Sequence, residues 1–141
     1  MSLQGRTGGS GQLHGPIRPE TRVGFVQGDG ADVQAMRWDI LEGEQIYGIF
    51  GDRRGATALI GITNRRVLLM DTMYGEGRVA LTSVPLRQIV SCSYITSTTE
   101  PITEATVVGI KVGRITFEVS CNSHEEAQEV HSLIMWHLIG L

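Results

Sequence analysis

The sequence predicts a mainly β fold in which seven antiparallel strands form a barrel that a C-terminal helix caps. Three observations favour this class. Short apolar segments recur at a spacing of roughly 8–12 residues between positions 44 and 121, turn-forming residues separate them, and the apolar spacing then changes to that of a helix. With 141 residues, of which 41% are hydrophobic, the chain is long enough to bury one core.

The beginning of the chain differs in composition from the rest. Residues 1–31 hold eight of the 18 glycines and show no apolar periodicity, so we expect a flexible arm there. A folded domain is expected over residues 32–141. It opens with a short helix over residues 32–42, which Asp32 caps. Three apolar side chains share one face of this helix: Val33, Met36 and Ile40.

The strand segments are bounded by glycine, proline, asparagine or polar residues. They cover residues 44–52, 56–63, 66–72, 78–84, 88–96, 106–112 and 114–121, with a loop predicted over 73–77. Alternation is clearest in the last segment, where four side chains face one way: Ile115, Phe117, Val119 and Cys121. Four glycines inside strands indicate bulges or strong curvature: Gly48, Gly51, Gly61 and Gly109.

The closing helix has a start signal and an apolar stripe. Ser123 and Glu126 form a capping box, in which each side chain satisfies a main-chain amide of the first turn. The stripe continues at helical spacing through Ala127, Val130, Ile134, Leu138 and Leu141, and Leu133 and Trp136 widen it. Because the barrel is the one partner large enough to cover this face, we expect the helix to pack on it.

The motifs do not indicate catalysis, and we expect no enzyme, no cofactor and no metal. Sequence patterns typical of hydrolases, nucleotide binding and zinc proteases do not occur. Cys92 and Cys121 lack zinc spacing, so buried free thiols are expected. His124 and His131 lie about 10 Å apart along the helix axis, too far to share one metal ion without a third ligand. We expect histidines that are solvated or that lie on the flank of the helix.

Charge and hydropathy exclude other classes. The formal net charge of −3 argues against a generic nucleic-acid binder, which carries a basic excess. The first residues lack the pattern of a signal peptide, and no apolar run approaches the roughly 20 residues of a membrane span. We therefore expect a cytoplasmic protein that is either free or peripheral at a membrane.

Three short motifs carry a resemblance to a known fold family. Leu41-Glu-Gly-Glu44 precedes the first strand, residues 61–70 (GITNRRVLLM) form a hairpin, and Pro85-Leu-Arg-Gln-Ile89 leads into the fifth strand. With the closing helix, they resemble the pleckstrin-homology-like superfold and, more narrowly, the small bacterial and GRAM-type members, over residues 41–140. The resemblance implies a non-enzymatic binding module. The run of lysines usual in phosphoinositide-binding members is missing here.

Two sets of residues are candidate binding sites. An anion site at one end of the barrel would combine three arginines and a tyrosine: Arg53, Arg54, Arg78 and Tyr74. Asp52 and Glu76 reduce the positive charge of this site. Arg65 and Arg66 lie at the opposite end of the strands, about 30 Å away. An interaction surface would use large apolar side chains on the two helices: Met36, Trp38, Met135 and Trp136.

The charge distribution favours a protein partner or self-association. Residues 43–121 hold eight basic and seven acidic side chains, whereas the closing helix holds three glutamates, so an anionic membrane would attract the barrel weakly. A free sheet edge would also permit strand addition. The alternative function is peripheral binding of an anionic lipid or phosphate through the turn arginines. In another alternative, the leading helix folds back and Trp38 meets Trp136 within one chain.

Overall fold

The computed structural model describes residues 40–52 and 59–140. The predicted arm over residues 1–31 and most of the leading helix lie outside the described residues. The end of that predicted helix, residues 40–42, is not helical. The Glu44 amide donates to the Leu41 carbonyl at 3.0 Å, and the Leu41 amide donates to the Glu44 carboxylate at 3.0 Å, so a tight turn replaces the last helical turn.

Seven antiparallel strands and one helix follow in the predicted order. The strands are β1 (Ile46–Phe50), β2 (Leu59–Thr63), β3 (Arg66–Gly75), β4 (Arg78–Pro85), β5 (Ile89–Ile95), β6 (Val107–Val112) and β7 (Ile115–Ser120), and the helix is α1 (His124–Ile139). Strands β1 to β4 form one sheet and β5 to β7 form a second, each in sequence order. Single 3₁₀ turns cover Leu86–Gln88 and Ile102–Glu104. The predicted strands and helix are confirmed, and closure into one continuous barrel stays a prediction.

The hairpin between β3 and β4 is longer than the sequence predicts. The loop expected over residues 73–77 is reduced to Glu76 and Gly77, because β3 continues to Gly75. Both turn residues have positive φ, 56° and 70°, the conformation that a two-residue hairpin turn requires. The ladder is irregular between Asp71 and Gly75, and this bulge places more residues on β3 than on β4.

The core lies between the two sheets and under α1. Phe50 of β1, Ile62 of β2 and Val108 of β6 are fully buried. The helix adds its predicted apolar stripe, of which Ala127, Val130, Leu133 and Ile134 are fully buried and Leu138 is partly buried. Burying each large aliphatic side chain contributes about 1.5–3 kcal/mol, so the helix face is a main source of stability.

Two of the strand glycines make room for neighbouring side chains. A Cβ at Gly48 would collide with the ring of Phe50, and a Cβ at Gly109 would lie 2.7 Å from Ile95 Cδ1. The β1–β2 register shifts between Ile46 and Gly48, which confirms the bulge predicted at Gly48. The contact between the sheets is also close here, since the Asp52 amide donates to the Ser120 carbonyl at 2.7 Å.

The start of α1 follows the predicted capping box with one change. Ser123 Oγ accepts from the Glu126 amide at 3.1 Å, as expected. The Glu126 carboxylate accepts from the Asn122 amide at 2.7 Å, one residue before the position that the motif predicts. Glu126 and Glu129 are buried, so the acidic helix is less exposed than its composition indicates. In the described ranges, no helix combines the length and hydropathy needed to cross a membrane.

Candidate functional site: the groove between β5 and α1

The motif residues that carry the family resemblance form a buried polar network. Arg66 contacts the Glu44 carboxylate through two bonds, Nε to Oε2 at 2.8 Å and Nη2 to Oε1 at 2.9 Å. Thr63 Oγ1 donates to Glu44 Oε2 at 2.7 Å and accepts from the Arg66 amide at 2.9 Å. Arg66 Nη1 also donates to Ser83 Oγ at 2.8 Å. The network joins the chain before β1 to β2, β3 and β4.

This network is structural, because its charged groups are turned inward. The Glu44 side chain is inaccessible to solvent and that of Arg66 is 13% exposed. Burial alone would raise the pKa of Glu44, but the hydrogen bonds from Arg66, Leu41 and Thr63 lower it to about 2. Glu44 is therefore ionised at neutral pH and neutralises Arg66. The network stabilises the fold, and its Arg66 cation is already compensated by Glu44.

An open groove of about 530 Å³ lies between β5, the turn that precedes it and the second half of α1. The Leu86 amide donates to the Arg65 carbonyl at 3.0 Å, which fixes the turn at one end. Six of the lining residues are apolar and four are polar. The lining consists of Leu86, Arg87, Ile89, Val90, Ser91, Cys92, His131, Met135, Leu138 and Ile139.

Large apolar side chains at the rim of the groove are open to solvent. Val90 of β5 is 66% exposed and Ile139 of α1 is 61% exposed, although Ile89 beside them is buried. β5 is also an edge strand of its sheet, so one side of its main chain faces away from β6. Among the described lining residues, Arg87 carries a permanent charge, and its side chain is exposed.

One part of the groove is formed by a packed histidine. The ring of His131 stacks on Tyr94 with centroids 4.6 Å apart and an interplanar angle of 19°. Burial lowers the pKa of His131, which the main-chain carbonyl of Cys92 partly offsets. Tyr94 also contacts His124 at 5.5 Å, and His124 Nδ1 lies 2.6 Å from the Ala105 carbonyl oxygen.

Of the two expectations for the helix histidines, the structure favours the helix flank over full solvation. His124, His131 and His137 are half-buried and each contacts an aromatic ring, His137 that of Tyr47 at 5.1 Å. They pack because α1 lies close to the edges of both sheets. The two thiols are free, with Cys121 buried and Cys92 half-buried. Burial raises the pKa of Cys92 to about 12 and also raises that of Cys121.

The predicted interaction residues are only partly within the described chain. Met135 lines the groove, whereas Trp136 is half-buried beside the ring of His137, at 5.4 Å in an edge-on arrangement. Met36 and Trp38 lie outside the described residues. Sequence reasoning missed the β5 side of the groove. The adjacent apolar residues Ile89 and Val90 indicate this side of the groove. Because side chains of a strand alternate between its two faces, only one of two neighbours can face the core, and the other is exposed.

Of the four predicted anion-site residues, two lie within the described part of the chain. Arg53 and Arg54 lie outside the described residues. Tyr74 and Arg78 meet at the exposed β3–β4 tip, where the guanidinium lies 5.3 Å from the ring centroid. Glu76 Oε2 is 3.9 Å from Arg78 Nη2, so a carboxylate already lies beside this cation. In the part of the chain that the structure describes, no three His, Cys, Asp or Glu side chains are grouped to hold a metal ion.

Two antiparallel sheets of four and three strands with a C-terminal helix define a pleckstrin-homology-like fold. Among solved structures, the chain is similar to a DUF1696 family protein with a pleckstrin-homology domain from Shewanella loihica PV-4. The TM-score is 0.53 at 16% sequence identity, over 79% of this chain and 99% of that chain. This similarity confirms the fold. Neither a protein-family model nor a curated protein sequence matches the chain.

Proposed function

We propose that the protein is a non-enzymatic binding module that recognises an apolar segment of a protein in the groove between β5 and α1. The observation that carries the proposal is the exposure of Val90 and Ile139 on opposite walls of this groove. Exposed apolar side chains that line one groove, rather than lying singly on the surface, are typical of a binding site. Filling the groove with two or three apolar side chains would gain about 1.5–3 kcal/mol for each one fully buried.

The polar groups of the groove define the kind of segment. Arg87 at the rim favours a partner with a carboxylate beside its apolar side chains. The apolar side chains of β5 and α1 that line the groove supply contacts to a segment whose apolar residues recur on one helix face. A segment with spaced apolar anchors and an acidic flank therefore matches the groove on both counts.

The chemistry of the groove supports a binding function over catalysis. Cys92 lines the groove with His131, but burial raises the pKa of its thiol to about 12, so it carries a proton at neutral pH. The polar contact of His131 is with the main-chain carbonyl of Cys92. A nucleophile that is not activated and a histidine that faces a carbonyl do not form a catalytic pair.

The alternative function, binding of anionic lipid or phosphate through Arg53, Arg54 and Arg78, has weaker support. Glu76 lies beside Arg78, and Arg66 at the other end of β3 is neutralised by Glu44. In the described part of this site, Arg78 is a cation with a carboxylate beside it, and such a pair attracts an anionic surface weakly. Vesicles are therefore included in the test.

The experiment is a fluorescence-anisotropy screen of the full chain with labelled nine-residue peptides. One panel carries apolar residues at positions 1, 4 and 8 with Asp or Glu beside them, and a matched panel has Ser at the apolar positions. We expect binding of the apolar panel alone and its loss in Met135→Asp. The control is Gln128→Asp, which adds the same charge at an exposed position of α1 outside the groove lining.

Co-sedimentation with vesicles containing phosphatidylserine, and with neutral vesicles, tests the alternative. We expect no charge-dependent pelleting. If no peptide binds any form of the chain, and acidic vesicles pellet the wild type but not an Arg53/Arg54/Arg78→Ala variant, the lipid function replaces the proposed one.

A further inference from the structure

The chain enters the described region next to the groove. The Leu41 amide is bonded to Glu44 at 3.0 Å, and Glu44 is bonded to Arg66. The neighbouring Arg65 holds Leu86, which is part of the groove wall, through its carbonyl at 3.0 Å. Direct hydrogen bonds and one peptide link therefore connect the entry point of the chain to the turn that forms one wall of the groove.

The residues immediately before this entry point have the chemistry that the groove favours. Positions 33–41, read VQAMRWDIL, are here named the leading segment. Its apolar positions recur at the spacing of one helix face, Trp38 adds a large aromatic side chain, and Asp39 supplies a carboxylate. Leu41, the last of these residues, is 61% exposed.

We propose that the leading segment occupies the groove of its own chain and that a partner must displace it. This inference rests on the proposed function and identifies the regulator of the same site. As a helix, the eight residues of the segment before Leu41 span about 12 Å, and the β5 part of the groove, Ile89 to Cys92, spans about 10 Å. The segment is thus long enough to span this part of the groove.

The tether makes occupancy by the chain's own segment favourable. A short linker gives an effective concentration in the millimolar range, so a contact with a dissociation constant of about 10 μM would be closed in about 99% of chains. A free competitor would then bind about 100-fold more weakly than it binds an open groove. Asp39 facing Arg87 would complement the one permanent charge described in the groove lining.

The test measures binding of a labelled VQAMRWDIL peptide to the full chain and to two variants of the leading segment. Met36→Asp places a charge on the apolar stripe. Gln34→Asp adds the same charge beside the stripe and is the matched control. We expect Met36→Asp to bind the peptide about 100-fold more tightly than the wild type and Gln34→Asp to bind it as the wild type does. Met135→Asp combined with Met36→Asp should remove the binding.

A second measurement does not depend on the peptide. The chain has two tryptophans, so Trp136→Phe leaves Trp38 as the single reporter. We expect Trp38 emission to be blue-shifted and protected from acrylamide, and to move to longer wavelength with faster quenching when Met135→Asp is added. Emission that is the same in both backgrounds would overturn the proposal even if a variant of the leading segment fails to fold.

The outcomes separate this inference from the proposed function. Equal peptide affinity for the wild type and Met36→Asp would overturn the inference and leave the groove as a binding site. If Met36→Asp binds other apolar peptides of the panel but not VQAMRWDIL, the leading segment is not the occupant. If it binds no peptide, the proposed function fails as well. A wild-type molecular mass that rises to that of a dimer as the protein concentration increases would show binding to a second copy, if Met36→Asp stays a monomer at the same concentrations. This result would also overturn the inference.

Discussion

Glu44 and Arg66, which are 22 positions apart in sequence, form a bidentate ion pair with N–O distances of 2.8 and 2.9 Å in the interior of the domain. The pair ties the turn before β1 to the first residue of β3. Thr63 Oγ1 also donates a hydrogen bond to the Glu44 carboxylate, at 2.7 Å. Since both charges have left water, each depends on the other for compensation.

Removing the charge of Glu44 should therefore cost much of the stability of the domain. We expect Glu44→Gln to lower the free energy of unfolding by about 3 kcal/mol, because it leaves the Arg66 guanidinium buried without a counter-charge. Urea denaturation followed by circular dichroism measures this change. Glu42→Gln is the matched control, since Glu42 is exposed, and it should change stability by less than about 0.5 kcal/mol. Similar losses in both variants would contradict the role of the pair.

The same pair predicts how stability responds to acid. The pKa of Glu44 falls from 4.5 to about 2 on folding, so the unfolded chain binds its proton first as pH decreases. The stabilisation is fully present above pH 4.5 and is lost as the pH falls towards 2. A shift of this size corresponds to about 3 kcal/mol.

Urea titrations at several pH values between 6 and 2 check this dependence. Other carboxylates titrate in the same range, so the informative quantity is the difference between the wild type and Glu44→Gln. We expect the difference to shrink as pH decreases through this window. A difference that stays constant from pH 6 to pH 2 would contradict the lowered pKa of Glu44.

The strands could be predicted from sequence because each turn is marked by local chemistry. Asn64 ends β2, and its side chain accepts from the Gln45 amide at 2.8 Å, so the residue type and the turn agree. The extension of β3 to Gly75 could not be predicted, because Thr72 to Tyr74 have no apolar alternation. Their strand conformation comes from pairing with β4 around a bulge, which is a tertiary effect.

The sequence indicates only one wall of the groove. The size and helix position of Met135 mark it as an interaction residue, but the groove forms because α1 lies beside β5. The sequence does not give the distance between these two elements. The same limit applies to Glu44 and Arg66. Both residues belong to the recognised motifs, yet their pairing across 22 positions depends on the register of β1, β2 and β3.

Gly48 is expected to tolerate no side chain. Its added Cβ would collide with the Phe50 ring, which is fully buried and has no free space to move into. Gly48→Ala should destabilise the fold by about 1–3 kcal/mol, as overpacking does in cores. Thermal or urea unfolding measures the loss. In a double-mutant cycle, Phe50→Leu should recover part of it, since the smaller side chain leaves room at this position. Strictly additive effects would show that the ring contact is not the cause.

His131 is expected to be neutral at pH values where an exposed histidine carries a proton. Burial lowers its pKa below 6.5, with the Cys92 carbonyl as a weaker opposing effect and Tyr94 stacked on the ring. The unfolded chain therefore binds a proton first, so this contribution to stability is present above pH 6.5 and decreases as pH falls through that value.

The NMR titration of the imidazole resonance that disappears in His131→Gln gives the pKa directly, and urea unfolding at pH 7.5 and 5.5 gives its effect on stability. We expect a pKa below 6.5 and a larger loss of stability on acidification in the wild type than in His131→Gln. Because His131 lines the groove, the same titration reports on occupancy. In Met36→Asp, in which the leading segment is expected to leave the groove, a saturating apolar peptide buries the ring again and should lower the pKa. A pKa at or above 6.5 in the wild type would contradict the burial of the ring.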